Sequence, residues 1–159
     1  MRPPLSLIVF ILAIALASCG FSPVYQSGNA VGDGVRGIRL DDPKNAIEFA
    51  FLHKLQRKIP QGGDSRALLT YTLTLTEASL VDRRVEIRGA AAYSIVDTAS
   101  QQVTLTGRVT STTGYSTSTT FSGIMANEPS RDDAIDRLTE SLAQAVYLQI
   151  LAKLAATQP

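Results

Sequence analysis

The amino-acid sequence predicts an α+β domain, a two-layer sandwich in which two helices cover one face of a mainly antiparallel four-stranded sheet, in the order βαβββα. Residues 69–76 alternate strictly between apolar residues and threonine, as a half-buried strand does. Two more alternating runs follow after short connections, which is typical of an antiparallel meander. Segments with apolar residues every three or four positions lie before and after this meander, as expected for helices that pack on one face.

A short strand and a helix precede the meander. Residues 35–40 alternate in hydropathy and can form a short strand. Asp42 suits the N-cap, Pro43 suits the first helical position, and Pro60 suits the end, which predicts a helix over residues 43–59. The apolar stripe of this helix comprises Ile47, Phe51, Leu52, Leu55 and Ile59.

The second and third strands of the meander are predicted at residues 85–95 and 103–109, joined by a hairpin loop at 97–102. The connection at 78–84 and the Ser/Thr-rich stretch at 110–122 are compatible with either strand or loop. Because the apolar side chains share one face, the opposite face carries Thr, Ser and Arg and is open to solvent or to a polar partner.

The last element is predicted as a helix over residues 127–157, capped by Ser130, with Asp132 and Asp133 in its first turn. Its apolar face comprises Ile135, Leu138, Leu142, Val146 and Ile150. Further apolar residues lie off this stripe, namely Tyr147, Leu148 and Leu151. They indicate either packing against the first helix or contact with a partner.

Residues 1–18 have the organisation of a secretory signal peptide. Arg2 supplies a positive charge, and the apolar run at 5–17 is shorter than the roughly 20 residues of a spanning helix. The stretch Leu16–Cys19 resembles the bacterial lipobox, in which the signal is removed before the cysteine and the thiol receives a diacylglycerol. The alternative is a truncated membrane anchor with an incidental buried cysteine.

Cys19 is therefore the predicted lipidation site and the first residue of the mature chain. Residues 19–34 are predicted to be a lipidated N-terminus and flexible tether, and residues 35–159 a single periplasmic α/β domain. Gly20 is not Asp, and by the lipoprotein sorting rule this favours the outer membrane, on its periplasmic side. Two or three acyl chains hold a protein firmly, whereas one chain binds only marginally.

Charge and composition argue against several classes of function. Removal of the signal peptide takes away Arg2 and leaves 14 basic and 14 acidic side chains, and this balance argues against a nucleic-acid partner. His53 is the only histidine in the sequence and is expected to be solvated, and Cys19 is expected to be acylated, so no metal site is predicted. The sequence contains no phosphate-binding or nucleophile motif, so neither a cofactor nor an enzymatic activity is predicted. The cluster of Asp132, Asp133 and Asp136 is explained by the dipole at a helix start.

Three arginines, Arg83, Arg84 and Arg88, concentrate positive charge on one hairpin, where the nearby carboxylates are Asp82 and Glu86. A solvated strand edge explains this pattern as well as a site for anionic groups does. In an outer-membrane lipoprotein, the phosphate-bearing ligand of such a site would be lipopolysaccharide.

Residues 19–25, Cys-Gly-Phe-Ser-Pro-Val-Tyr, resemble the opening Cys-Gly-Phe-x-Pro-Leu-Tyr of the lipopolysaccharide-assembly lipoprotein LptE family, and depart from it only at Val24. The size and element order are also similar. The resemblance implies a lipoprotein that plugs and helps assemble the LptD β-barrel and binds lipopolysaccharide during its insertion into the outer leaflet. Arg83, Arg84 and Arg88 are the candidates for contacting its phosphates. Another periplasm-facing assembly or scaffold lipoprotein, or a lipid-anchored enzyme, remains an alternative.

Overall fold

A computed structural model describes residues 34–59 and 65–156. The elements in chain order are strand β1 (Ile38–Leu40), helix α1 (Ala46–Gln56), strands β2 (Ala67–Ser79), β3 (Arg84–Asp97) and β4 (Val103–Ser116), and helices α2 (Phe121–Ile124) and α3 (Asn127–Ala156). The predicted signal peptide at 1–18, the lipidation site Cys19 and the tether up to residue 33 lie outside the described residues.

The four strands form one sheet in the order β1-β2-β3-β4, with β1 parallel to β2 and the other two pairs antiparallel. This confirms the predicted α+β fold with a mainly antiparallel sheet. The first strand is shorter than predicted, because residues 34–36 form a helical turn. The stretch at 110–122 continues β4 as far as Ser116, which pairs with Arg84 at the start of β3. Beyond that pair the chain leaves the sheet and forms α2, a short helix that was not predicted.

The core lies between the sheet and the two longer helices. The odd-numbered residues of β2 and β3 face α1 and α3. The ring of Phe51 on α1 packs against the ring of Tyr71 on β2, with 5.2 Å between the ring centroids. The predicted stripes of both helices are buried in this layer, although Ile47 is only half-buried. The completely buried side chains include Phe51, Leu55, Leu69, Ile87, Leu138, Leu142, Val146 and Ile150.

The N-cap of α1 corrects the prediction, since Asn45 rather than Asp42 occupies that position. The Asn45 side-chain oxygen accepts from the N–H of Glu48 at 2.9 Å, and the Glu48 carboxylate accepts from the N–H of Lys44 at 2.8 Å. Glu48 stands three residues after Asn45, the spacing of a capping box, whereas no carboxylate follows Asp42 at that distance.

The capping of α3 differs from the prediction, although the helix begins at the predicted residue. The helix begins at Asn127, so Ser130 lies within the first turn and its hydroxyl donates to a preceding backbone carbonyl at 2.7 Å. Asp132 and Asp133 consequently lie beyond the first turn, and Asp133 pairs with Arg137 instead. The Asn127 side chain binds the loop before the helix, and this tertiary contact sets an earlier start than the capping preference of Ser130.

The substitution Asn45→Ala tests the cap of α1. We expect it to lower the free energy of unfolding by about 1 kcal/mol, because the N–H of Glu48 loses its acceptor. Asp42→Ala is the matched control and is expected to change stability little. Urea unfolding followed by circular dichroism checks both variants, and equal losses would contradict the assignment of the cap.

The Tyr71 hydroxyl is buried and has no hydrogen-bond partner among the described residues. Burial, together with the nearby Glu48 and Asp41 carboxylates, raises the pKa of Tyr71 from 10.0 to about 12. The unfolded chain therefore loses this proton at a lower pH than the folded chain does. Stability that is present below pH 10 is lost as the pH rises from 10 towards 12.

Replacement of Tyr71 by Phe removes this titration. Between pH 8 and pH 11, we expect the free energy of unfolding of the parent protein to fall by about 1 kcal/mol more than that of Tyr71→Phe. At pH 8 we expect the variant to be at least as stable as the parent, since the Tyr71 hydroxyl has no hydrogen-bond partner in the described chain. Urea unfolding at both pH values measures the difference. Identical pH dependence of the two proteins would contradict the raised pKa.

Candidate functional site

The strands give the domain two distinct ends. At about 3.4 Å per residue, the 13 residues of β2 extend about 40 Å. The described chain begins at one end, where Gly34 lies beside Leu154 near the end of α3. The opposite end carries the β2–β3 turn and the segment that joins β4 to α3. We refer to residues 80–84 and 117–126, at this opposite end, as the distal tip.

Hydrogen bonds from Thr117 to Arg83 hold the two parts of the distal tip together, and Asn127 binds the loop before α3. The Arg83 carbonyl accepts from the backbone N–H of Thr117 at 2.7 Å and from its hydroxyl at 3.1 Å. The Asn127 amide bonds both the N–H and the carbonyl of Ser118, at 2.8 and 3.0 Å. Asp82 and Arg83 have positive φ angles of 61° and 59°, which reverse the chain tightly between β2 and β3.

Large apolar side chains are concentrated at the distal tip. Of the eight exposed large hydrophobic residues in the described chain, five lie here: Leu80, Val81, Phe121, Ile124 and Met125. Val81 is 83% exposed and Phe121 is 93% exposed. Clustered exposure of this kind is typical of an interaction site rather than of ordinary surface.

The structure separates the three arginines predicted from the sequence. Arg83 and Arg84 lie at the distal tip, are exposed, and have no ion-pair partner among the described residues. Arg88 lies further along β3 on the open face of the sheet, where its guanidinium pairs with Glu86 at 2.5 Å. Two of the three candidates therefore border the apolar cluster, and the third does not.

The open face of the sheet carries small and hydroxylated side chains. A shallow depression of about 480 Å³ lies over Ala90, with Arg88 and Arg108 both contributing to its walls. Rows of threonine flank it on the neighbouring strands, namely Thr74, Thr76, Thr110 and Thr112. Arg108 was not among the predicted site residues, because only the pairing of β3 with β4 places it beside this depression.

The acidic residues and the histidine that were considered for chemistry do not converge. His53 is exposed on α1, and Asp136 binds the Lys54 ammonium at 2.5 Å. Within residues 34–59 and 65–156, no three His, Cys, Asp or Glu side chains are placed to hold a metal ion. Hydrogen bonds from Ser100 lower the pKa of Asp97, which thereby stabilises the β3–β4 loop.

No helix in the described part of the chain combines the length and the apolar character needed to cross a membrane. The 30-residue helix α3 is long enough, but its first half is rich in charged residues.

Comparison with solved structures identifies the fold. The "putative lipoprotein" of Caulobacter crescentus CB15 matches with a TM-score of 0.66 at 17% identity, over 81% of this chain and 98% of that one. The minor lipoprotein of Acinetobacter baumannii matches with a TM-score of 0.52 at 16% identity, over 73% and 89%. The rare lipoprotein B of Shewanella oneidensis matches with a TM-score of 0.46 at 12% identity, over 76% and 92%.

At these identities the likeness concerns the fold. This chain shares its two-layer arrangement with the first two of these proteins, and the match includes nearly the whole of the Caulobacter chain. No protein-family model matches the sequence, and no curated protein matches it either.

Proposed function

We propose that this protein is an outer-membrane lipoprotein, held on the periplasmic side by acyl chains on Cys19. In this proposal it plugs and helps assemble an LptD-like β-barrel and binds lipopolysaccharide during transport to the outer leaflet. The opening of the mature sequence at residues 19–25 supports this function. The fold supports the same class, because the matched structures are described as lipoproteins.

The distal tip is the observation that carries the lipopolysaccharide-binding role. Lipopolysaccharide joins anionic phosphates to acyl chains, so a binding surface needs cationic and apolar side chains side by side. Arg83 and Arg84 provide guanidinium groups, which grip phosphate with two hydrogen bonds. Val81 and Phe121 provide exposed apolar surface at the same end of the domain.

The shape of the domain supports the plug role. Its length of about 40 Å exceeds the roughly 30 Å hydrocarbon core of a bilayer, so a domain anchored at one end can carry its distal tip across that distance inside a barrel. Large barrels have polar interiors. The threonine-rich open face of the sheet provides hydroxyl groups that can pair with such a wall.

The double substitution Arg83→Glu/Arg84→Glu tests the ligand. We expect it to weaken binding of lipopolysaccharide about tenfold or more. Each change removes a guanidinium that donates hydrogen bonds to phosphate and introduces a carboxylate that repels it. The matched control is Arg39→Glu/Arg66→Glu, which makes the same charge change at exposed positions away from the tip. Titration of the detergent-solubilised lipidated protein with fluorescent lipopolysaccharide measures the affinities. Equal affinity of both double variants would contradict a binding site at the tip.

The lipid anchor and the barrel are tested on protein purified from envelopes. Mass spectrometry is expected to find an N-terminal peptide that begins at Cys19 and carries diacylglycerol and a further acyl group, and Cys19→Ser is expected to lack this mass. A large outer-membrane β-barrel protein should co-purify in a fixed ratio. A bare thiol with the leader attached would contradict the anchor, and recovery of a different assembly machinery would contradict the barrel.

A further inference from the structure

The two edges of the sheet differ greatly. At one edge the three residues of β1 pair with residues 67–69 of β2 and leave the rest of β2 without a neighbouring strand on that side, whereas at the other edge β4 presents 14 residues, Val103–Ser116, in one continuous strand. Natural proteins blunt a long edge with proline, with lysine, with bulges or with a covering element, because unpaired backbone groups can pair with another chain. From residue 105 to its end β4 contains no proline, no lysine and no register shift.

The pairing with β3 determines which backbone groups of β4 point outward. The N–H of Thr117 donates to the Arg83 carbonyl, so these two residues form a hydrogen-bonded pair. Because such pairs recur at every second residue of an antiparallel ladder, the odd-numbered residues of β4 bond to β3. Adjacent residues in an antiparallel pair alternate in direction, and the N–H and C=O groups of the even-numbered residues therefore point to the free edge.

Side chains of α3 cover only the two ends of this row. The Arg137 guanidinium donates to the Gly114 carbonyl at 3.3 Å, and the Lys153 ammonium donates to the Thr106 carbonyl. Between these two contacts, the outward N–H and C=O groups of Arg108, Thr110 and Thr112 have no partner in the described chain. A gap of this length is enough for a short added strand.

The side chains around the gap define the chemistry of an occupant. Arg108 is the only charged residue of β4, points to the open face and has no ion-pair partner among the described residues. On the helix side, Ser141 of α3 bonds the Ser111 hydroxyl at 2.8 Å, and Leu148, two turns later on the same face, is 49% exposed. An added strand would thus find a cation on one side and an apolar contact on the other.

We propose that β4 receives an extended segment of a partner protein as a fifth strand, paired with Arg108–Thr112 and carrying a carboxylate beside Arg108. The partner is another protein rather than a second copy of this chain, because β4 has no carboxylate and a symmetric pair would leave both Arg108 side chains without an acid. This surface lies on the long edge of the sheet and is separate from the distal tip, so its test does not depend on lipopolysaccharide.

Hydrogen exchange of the full lipidated protein tests the edge directly. The amides of Arg108, Thr110 and Thr112 are measured in outer-membrane vesicles, where the partner is present, and in protein purified in detergent. We expect exchange in the vesicles to be about tenfold slower or more at these three amides. The amide of the odd-numbered residue Val109, which is bonded to β3 in both samples, serves as the internal reference.

Two variants separate strand pairing from other causes of protection. Thr110→Pro removes an outward N–H and is compatible with an edge strand, so it should restore fast exchange at Arg108 and Thr112 in vesicles, whereas Thr110→Ala should not. Arg108→Glu should reduce the protection and Arg108→Lys should keep it, since only the first reverses the charge. Arg108→Glu changes no backbone group and so remains informative if Thr110→Pro does not fold.

Three results would overturn the proposal. The first is equal exchange at the three amides in vesicles and in purified protein. The second is slow exchange that is already present in the purified protein, which would assign the edge to a second copy if the protein is a dimer and to another segment of this chain if it is a monomer. The third is protection in vesicles that persists in both Thr110→Pro and Arg108→Glu.

Discussion

The rest of the structure depends on the packing of α3 directly against the backbone of β3. A Cβ atom at Gly89 would lie 3.0 Å from side-chain atoms of both Leu138 and Leu142, so the absence of a side chain there lets the helix approach the strand closely. Both leucines and Val146 are completely buried as a result. Burial at about 25 cal/mol per Å² of apolar surface is the main driving force for this domain, because residues 35–159 contain no cysteine and therefore no disulfide.

One-sided packing leaves the surfaces on which this protein can act. Both long helices occupy the same face, and the Lys54 ammonium joins them by donating to Asp136 at 2.5 Å and to the Thr139 hydroxyl at 2.9 Å. The two long helices consequently leave the other face, the free edge of β4 and the distal tip uncovered. Each has a different chemistry: hydroxyl groups, unpaired backbone groups with Arg108, and apolar side chains beside two arginines.

The candidate site could be predicted only in part. The sequence shows that positive charges are close together along the chain, but not on which surface of the fold each side chain lies. Arg83, Arg84 and Arg88 are close in sequence, yet the reversal at Asp82 and Arg83 puts the first two at the tip and leaves Arg88 to pair with Glu86. The apolar component was missed, since Phe121 follows Val81 by 40 residues, and their two segments meet through the hydrogen bonds from Thr117 to the Arg83 carbonyl.

The sequence by itself determined the order of the main elements, the antiparallel meander and the buried faces, because the two-residue and 3.6-residue periods of hydrophobicity follow directly from strand and helix geometry. It also contained the Asn45–Glu48 capping spacing, although Asp42 was preferred. Only the tertiary structure decided which groups bind at the start of α3, where β4 leaves the sheet and which residues share the tip and the free edge. These features depend on hydrogen bonds between segments distant in the chain, and no local pattern encodes such bonds.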